Sequence, residues 1–489
     1  MRKINLKQIS LFFGLICSLL SFTQEKKWTL QECVAHALEN NISIQQSGLD
    51  KEIARENITS AKGNFLPTLN GSASGNLNFG SYIGQDGSRI STNTFRSGIG
   101  LNAGITVFNG FRNTNLYKQA QLGLEASEVQ FQKLKDDISL YVVNSYLNAL
   151  LSKENYKIAE EQVKVSQQQI ENIKILVDQG VKPKSDLFNA QAELASNNEN
   201  LIAAQNSIDL ALLNLSQLLQ VPNKGFDIQD VEINLSSAKL MYDDTQRIFE
   251  KALQNRPEIR AAEINIENSE IDIEIAKSAL YPTINLGASL GTSYQHVLGE
   301  KDRITIVDPD NPGDIAYIPI FEPDDLVNPI LIPTSDPRNP VNYKSISNGF
   351  AKQFSDNLGY NIGVSINIPI FNGFRTKSSI NRAKISKERI VYGLGQAKQD
   401  LYSTIENAYL DARAALNQYE ASDASLTAQE EAFRTAQESY SNGVMTPFEF
   451  QQVRNRLTNA QSSLANAKFN FVFKSKLLEF YYGIPISLD

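Results

Sequence analysis

Side chains that commonly perform chemistry are scarce in this chain. Histidine occurs only at His36 and His296, and the two cysteines are Cys17 and Cys33. No glycine-rich loop follows a strand and opens a helix, and no serine stands in a nucleophile-elbow sequence. His36 and Cys33 are interpreted as packed side chains rather than as a ligand and a nucleophile. We therefore predict that the protein is not an enzyme and uses no cofactor.

One acidic stretch faintly resembles a calcium-binding loop. Residues 308–314 carry three aspartates, but the fifth and twelfth loop positions are Pro312 and Pro319. Proline has no side-chain oxygen, so the ligand pattern of an EF-hand loop fails. We predict no metal site.

Two carboxylates beside helix breaks remain. Thr446 and Glu449 have the spacing of an N-cap and N3 pair, which predicts a capping box. Asp186 falls in the first turn of another predicted helix, where the helix dipole favours negative charge. Helix stability alone would account for both placements.

The elements that position these side chains belong to a long internal repeat. Phe108–Arg112 recurs letter for letter at Phe371–Arg375, and this offset of 263 residues holds through Pro222 and Pro485. Upstream the offset is 215, as for Asn40 and Asn255. The difference, 263 − 215 = 48 residues, lies between Tyr294 and Leu358. We predict two copies of one unit, residues 24–222 and 223–489.

The start of the chain predicts export. A basic N-terminus followed by the apolar stretch Ile9–Leu20 is typical of a signal peptide, which we assign to residues 1–23. Its removal would leave Cys33 as the only cysteine, so no intrachain disulfide is expected. After it, no apolar run reaches 18 residues, which argues against helical membrane spans. The net charge of −8 disfavours nucleic acid as a partner.

Long helical hairpins dominate both copies. The stretch from Arg112 to about Asp178 has no proline and a single glycine, and its copy runs from Arg375 to about Ser441. Each ends at a Gly-Val pair, Gly180-Val181 or Gly443-Val444, followed by a proline that restarts the chain. We predict hairpins over about 112–220 and 375–483. Shorter segments, including Asn41–Phe65 and Pro257–Leu280, would complete the helical layer.

Four stretches alternate between apolar and polar residues and predict strands, at about 66–79, 95–108, 281–295 and 358–371. Their polar side is almost uncharged, which suits a water-filled lumen, although a soluble sheet would alternate in the same way. In a membrane the two edges must be paired, so several chains would share one barrel. Two copies would give eight strands, and three would give twelve with room for a channel. Residues 296–357 hold eight prolines and predict a long, irregular extracellular loop.

These features together resemble the outer-membrane efflux protein (TolC) family. The resemblance rests on the signal peptide, the duplicated strand and helix hairpins, the Phe-Asn-Gly-Phe-Arg segments, and the Gly-Val turns. It implies a mainly α protein with a membrane β-barrel: a homotrimer with a 12-stranded β-barrel and a 12-helix α-barrel. Such a protein would lie in the outer membrane of a Gram-negative bacterium, in contact with lipid, and extend into the periplasm. It would be the exit duct of a tripartite efflux pump or type I secretion system, with a periplasmic adaptor and an inner-membrane transporter as partners.

The resemblance also implies roles for particular residues. A periplasmic gate would include Asp186, Tyr440, Glu449 and Gln452, with Met445 where the family can place an arginine. The turns at Gly180, Val181, Gly443 and Val444 would contact the adaptor. The alternative is a soluble periplasmic coiled-coil adaptor or scaffold, whose strands would form a small packed domain.

Overall fold

The computed structural model describes residues 27–83, 85–231, 239–240, 244–322 and 325–484. The predicted signal peptide lies outside these ranges. In chain order the elements are β1 Lys27–Trp28, α1 Leu30–Asn40, α2 Ile42–Gly63, β2 Thr68–Ile83, β3 Arg89–Asn109, α3 Arg112–Asp178, α4 Lys184–Leu219, β4 Asp227–Ile228, α5 Thr245–Asn255, α6 Pro257–Ser278, β5 Thr283–Val297, β6 Arg303–Val307, β7 Ile315–Glu322, β8 Asp325–Ser335, β9 Tyr343–Ser347, α7 Phe350–Asp356, β10 Gly359–Asn367, α8 Arg375–Ser441 and α9 Pro447–Tyr482.

The helices belong mainly to one compact unit, made of the described residues of Met1–Ile58, Lys118–Asp272 and Arg382–Asp489. Within it α3 and α4 run antiparallel, and Asn197 donates to the Ser166 hydroxyl at 2.7 Å. The second hairpin, α8 and α9, is joined by an ion pair of 2.7 Å between Lys474 and Asp411. The predicted pair of long antiparallel hairpins is confirmed. None of the helices in the described ranges combines the length and apolar content needed to cross a membrane.

Two hydrophobic cores lie in the helical unit, and they use equivalent positions of the two repeats. The first contains Cys33, fully buried, together with the buried side chains of α1, α3 and α4. The second is built on α5, α8 and α9. Offsets of 215 and 263 residues relate their members, listed here as pairs: Cys33 and Ile248, Ala37 and Ala252, Ile44 and Ile259, Ile138 and Leu401, Val142 and Ile405, Ala149 and Ala412, Leu215 and Leu478. The sequence repeat is therefore a repeat of packing.

The second unit, Thr59–Tyr117 with Ile273–Asn381, holds the sheets. Its main sheet is antiparallel with the strand order β10-β5-β3-β2, so β2 and β10 are the edge strands. Four strands are confirmed, although β3 begins at Arg89, earlier than predicted, and β10 ends at Asn367. Pro369 follows soon after β10, and proline cannot donate to a strand ladder.

Side chains alternate between two faces of this sheet. On the polar face the register aligns one row across all four strands: Asn70, Asn102, Ser289 and Asn361. On the apolar face the adjacent row is Leu69, Ala103, Ala288 and Ile362. Large side chains of this apolar face are uncovered, since Leu69 is 70% exposed and Ile362 74% exposed. The alternation predicted from sequence is thus confirmed, and large side chains on its apolar side stay exposed in the described part of the chain.

The insertion between β5 and β10 departs from the prediction of irregular chain, which is wrong. It contains two antiparallel ribbons, β6 with β9 and β7 with β8, and the short helix α7. Pro319 faces Leu331 and Pro333 faces Tyr317 within the β7–β8 ribbon. Both strands of a two-stranded ribbon are edges, so a proline whose missing N–H faces outward breaks no ladder bond.

Helix α7 covers the part of β5 that extends beyond its pairing with β10. The Gln353 side chain donates to the Gln295 carbonyl oxygen and accepts from the Gln295 amide, each at 3.0 Å. Thr292 donates to the Phe354 carbonyl oxygen at 2.7 Å. A buried side-chain amide therefore substitutes for strand pairing here, which satisfies backbone groups that would otherwise stay unpaired.

Candidate functional site

The two predicted turns between the long helices have the same backbone structure. Gly180 and Gly443 both adopt φ +75°. In the first turn the Gly180 amide donates to Val177 O at 2.9 Å and the Val181 amide to Leu176 O at 2.8 Å. This pair of bonds is the Schellman motif, which requires a left-handed residue and therefore favours glycine.

The second turn repeats the motif. The Gly443 amide donates to Tyr440 O at 3.1 Å and the Val444 amide to Ser439 O at 2.9 Å. Both turns end with a valine that the described residues leave largely uncovered: Val181 is 67% exposed and Val444 81% exposed. Phe188 and Phe448, near the starts of the following helices, are also exposed. Each hairpin therefore ends in exposed apolar side chains on a rigid cap.

Glu449 forms the predicted capping box. Its carboxylate accepts from the Thr446 amide at 2.9 Å and from the Thr446 hydroxyl at 2.8 Å, and its own amide donates to that hydroxyl at 3.3 Å. The hydrogen bond from the Thr446 backbone, followed by that from its hydroxyl, holds the pKa of the Glu449 carboxyl below its usual range. Glu449 is exposed, so its charge is available to solvent while it caps α9.

Tyr440 connects the two turns of one chain. Its hydroxyl accepts a hydrogen bond of 3.1 Å from Lys182 Nζ, which also lies 4.8 Å from the centroid of the Tyr440 ring. The ring stacks on Phe450 with 4.6 Å between centroids. Asp186 lies half-buried in the first turn of α4, and Gln452 is exposed on α9. The structure thus brings Tyr440 together with Lys182, a residue that the sequence analysis does not single out.

Below the turns, a buried arginine joins three helices. Arg454 of α9 is 1% exposed, and its guanidinium donates to Glu193 of α4 at 3.1 Å and to Gln169 of α3 at 2.9 Å. Gln451 also donates to Glu193. Burial lowers the pKa of the Arg454 guanidinium, and Glu193 opposes that shift. The Arg454 Nε atom is buried without a hydrogen-bond partner in the described chain.

Sequence reasoning missed Arg454, although a signal was present. Phe450, Arg454 and Leu457 are all buried and are spaced as i, i+4 and i+7, one face of a helix. A charged residue in such a series predicts a buried ion pair rather than a solvated side chain. The partner, Glu193, lies in the other hairpin and could not be identified from spacing.

No group of histidine, cysteine, aspartate or glutamate that could hold a metal ion occurs among the described residues. The turns provide mechanical contacts and a fixed charge. Rigid caps present apolar side chains, Glu449 presents a fixed negative charge, and the Tyr440 and Arg454 contacts tie the two hairpins to each other. Such an arrangement can hold two helix ends together and can attract or repel ions near them.

The amino-acid sequence matches a protein family described as "Outer membrane efflux protein" over residues 34–220, 248–313 and 338–479. Outer membrane protein TolC of Escherichia coli K12 is 22% identical over 475 residues, which cover 95% of this chain and 84% of the relative. Outer membrane efflux protein BepC of Brucella suis is 21% identical over 457 residues, or 92% of this chain and 84% of the relative.

Two solved structures are similar to this fold. The match to CusC has a TM-score of 0.71 at 19% identity and covers 95% of this chain and 96% of CusC. The match to VceC of Vibrio cholerae has a TM-score of 0.69 at 18% identity and covers 94% of this chain and 97% of VceC. At these identities the two matches establish a common fold.

Proposed function

Because this chain belongs to the outer membrane efflux protein family, we propose that it is the outer-membrane exit duct of a tripartite efflux pump or type I secretion system. It conducts substrates passively from an inner-membrane transporter to the outside, with a periplasmic adaptor as a further partner. The family is one of transport channels rather than enzymes. One observation carries the proposal: an exposed apolar sheet face whose two edge strands have no outer neighbour in the described chain.

The apolar face fits hydrocarbon better than water. Tyr360, Ile362 and Val364 of β10 are 85%, 74% and 64% exposed, and a soluble protein rarely leaves such a row uncovered. The opposite face carries Asn, Ser, Thr and Gly, as the lumen side of a membrane barrel does. The alternative of a soluble scaffold would require this apolar face to be packed within the chain.

The edge strands require other copies of the chain. Unpaired backbone groups cost several kcal/mol each in hydrocarbon, so β2 and β10 must be paired there. The internal repeat supplies the template, because β3 corresponds to β10 by an offset of 263 and β5 corresponds to β2 by an offset of 215. Pairing of β10 with β2 of the next copy would therefore repeat the β3–β5 contact. Three copies of this four-stranded sheet close a barrel of twelve strands.

The observed β3–β5 register predicts the register between copies. Ala103 faces Ala288 within the chain, so Ile366 faces Ala73 of the next copy. The same operation gives the remaining pairs: Gly359 with Gly80, Tyr360 with Phe79, Asn361 with Asn78, Ile362 with Leu77, Gly363 with Asn76, Val364 with Gly75, Ser365 with Ser74, and Asn367 with Ser72. Every pair has both members on the polar face or both on the apolar face. A slip by one residue would invert that match.

Gly110, which follows β3, and Gly373, which follows β10, support the same pairing between copies. At Gly110, φ +65°, a side-chain carbon would lie 2.5 Å from the Ser278 carbonyl oxygen and 2.9 Å from Tyr281 Cβ. Its copy Gly373 has φ +61°, yet such a carbon would meet no atom within 4 Å in the described chain. By the offset of 215 residues, the counterparts of Ser278 and Tyr281 in the first repeat are Gly63 and Leu66. We assign the missing neighbours of Gly373 to those residues of the next copy.

The helical turns take the gate and docking roles in this proposal. Asp186, Tyr440, Glu449 and Gln452 line the periplasmic constriction, with the Lys182–Tyr440 contact holding the hairpins of one chain together. The exposed turns at Gly180-Val181 and Gly443-Val444 are the adaptor contacts, since each presents an uncovered valine on a rigid cap. Met445 is half-buried beside them.

The membrane proposal is tested by a pair of lysine substitutions on neighbouring residues of β10. Ile362→Lys places a charge on the apolar face, where it costs about 2–4 kcal/mol near the bilayer midplane. Asn361→Lys places the same charge on the polar face. We expect wild-type protein and Asn361→Lys to be extracted from membranes only by detergent and to conduct ions in planar bilayers, and Ile362→Lys to insert poorly. Equal behaviour of both variants, or a wild-type protein soluble without detergent, contradicts the proposal.

A further inference from the structure

The four strands of the main sheet carry almost no charge. Across β2, β3, β5 and β10 the only residues with a permanent charge are Arg89 and Arg96, both on β3. Arginine is always ionised at ordinary pH. The sheet therefore has a net positive charge that comes from one strand alone.

The two arginines lie on opposite faces. Arg96 faces Asn76 on one side and Gln295 on the other, and it shares its face with Gly98, Gly100 and Asn102 by alternation along β3. Arg89 is seven residues away, an odd number, so it has the apolar-face parity and pairs with Ile83 at the strand end. About 23 Å of extended strand separates them. Arg96 is thus the single ionised side chain on the polar face.

The surroundings of Arg96 leave its charge uncompensated. It is exposed and has no ion pair in the described part of the chain. Two acidic residues that follow β5 are engaged elsewhere: Asp302 lies 2.7 Å from His296 Nδ1, and Asp356 lies 2.9 Å from Lys352. Glu300 also follows β5, and it forms no ion pair with Arg96 in the described part of the chain. The rest of the polar face offers amides, hydroxyls and bare glycine backbone, which cannot neutralise a guanidinium.

We propose that Arg96 is a binding subsite for anionic groups, carboxylate or phosphate, of molecules that pass along the polar face. This inference rests on the proposed function, because closure of the sheet by three copies brings three Arg96 side chains around one lumen. A guanidinium offers paired N–H donors that match two oxygens of such a group. The adjoining Asn76 and Gln295 add neutral hydrogen-bonding partners. The subsite makes this part of the lumen prefer anions.

The test uses purified full-length protein in planar bilayers with a potassium chloride gradient centred near about 0.1 M salt. Arg96→Gln removes the charge and keeps hydrogen-bonding capacity. Arg89→Gln removes the same charge from the same strand on the other face, beyond the Debye length of about 10 Å at 0.1 M salt. Because the closed barrel loses three charges, we expect Arg96→Gln to lower the chloride-to-potassium permeability ratio by about twofold or more, since even one unit charge about 10 Å away changes the local concentration of an ion by about twofold in unscreened water. Arg89→Gln should match the wild type.

Inorganic pyrophosphate serves as the anionic probe. We expect it to reduce wild-type current at micromolar to millimolar concentration, to act less on Arg96→Lys, which keeps the charge but loses the planar donor pair, and least on Arg96→Gln. Conducting channels whose selectivity and pyrophosphate response are unchanged in Arg96→Gln would overturn the subsite and leave the exit duct intact. A protein that forms no channel at all would overturn both.

Discussion

Glu449 caps α9, and the proposed gate gives it a second role that substitution can separate from the first. Glutamine at N3 can still complete a capping box, whereas alanine cannot. We therefore expect Glu449→Gln to remove the negative charge of the turn while it keeps an acceptor for Thr446, and Glu449→Ala to remove both the charge and the acceptor. In single-channel recordings both variants should lose cation preference or divalent block, and Glu449→Ala should unfold at a lower temperature than Glu449→Gln. Unchanged ion selectivity in both variants would show that Glu449 is not part of the gate.

The helix capping and the cation preference that we attribute to ionised Glu449 should both depend on pH, in a defined direction. Hydrogen bonds from Thr446 depress the pKa of this carboxyl in the folded protein. The contribution of the ionised carboxylate to helix capping is therefore present above the ordinary glutamate pKa and is lost as pH falls through the lower, folded value. The cation preference of the wild type should persist at a pH where an ordinary glutamate is already half-protonated.

At the scale of elements, Arg454 ties α9 to α3 and α4, and its environment is asymmetric. Its side chain is 1% exposed, whereas that of Glu193 is 31% exposed. Removal of Glu193 would leave the buried Arg454 guanidinium without its counter-ion. Removal of Arg454 would leave the Glu193 carboxylate, which water can still reach. We expect Glu193→Ala to cost about 3 kcal/mol or more and Arg454→Met to cost much less.

Thermal unfolding of the detergent-solubilised protein, followed by far-ultraviolet circular dichroism, measures this difference. Glu193→Gln is the matched control, because it keeps an acceptor for the guanidinium while it removes the charge. Its unfolding temperature should lie between those of Glu193→Ala and Arg454→Met. Equal destabilisation by Glu193→Ala and Arg454→Met would show that the pair acts through packing alone.

The elements also show where sequence reasoning succeeds and where it stops. The spacing of apolar residues and the positions of glycine and proline predict the long helices and the four strands, because both signals are local. The β7–β8 ribbon escapes prediction because prolines usually interrupt strands, yet a two-stranded ribbon has outer edges that tolerate them. Glu193 and Lys182 could not be assigned because their partners, Arg454 and Tyr440, belong to the other repeat.

At the scale of the whole molecule, the internal repeat is the basis for the proposed closure of the barrel by several copies. The two hydrophobic cores are built largely from equivalent residues of the two repeats, and the first also includes Phe469 and Val472 of α9. In the proposed barrel, the strand contact that β3 and β5 make within the chain has a second instance, between β10 and β2 of the next copy. Gly373 has the left-handed conformation of Gly110, although a side-chain carbon there would meet no atom of the described chain within 4 Å, which agrees with the proposed contact.

Disulfide trapping between β10 and β2 tests this central claim most directly. Residues directly opposite in antiparallel strands have Cα atoms about 4.5–5.5 Å apart, within disulfide range. Ile362→Cys combined with Leu77→Cys should form intermolecular disulfides on oxidation in intact membranes and yield a cross-linked trimer on a denaturing gel. The shifted control, Ile362→Cys with Ala73→Cys, should not. Cross-linking of the shifted pair alone, or no product from either pair, would contradict closure of the barrel in the register that the repeat dictates.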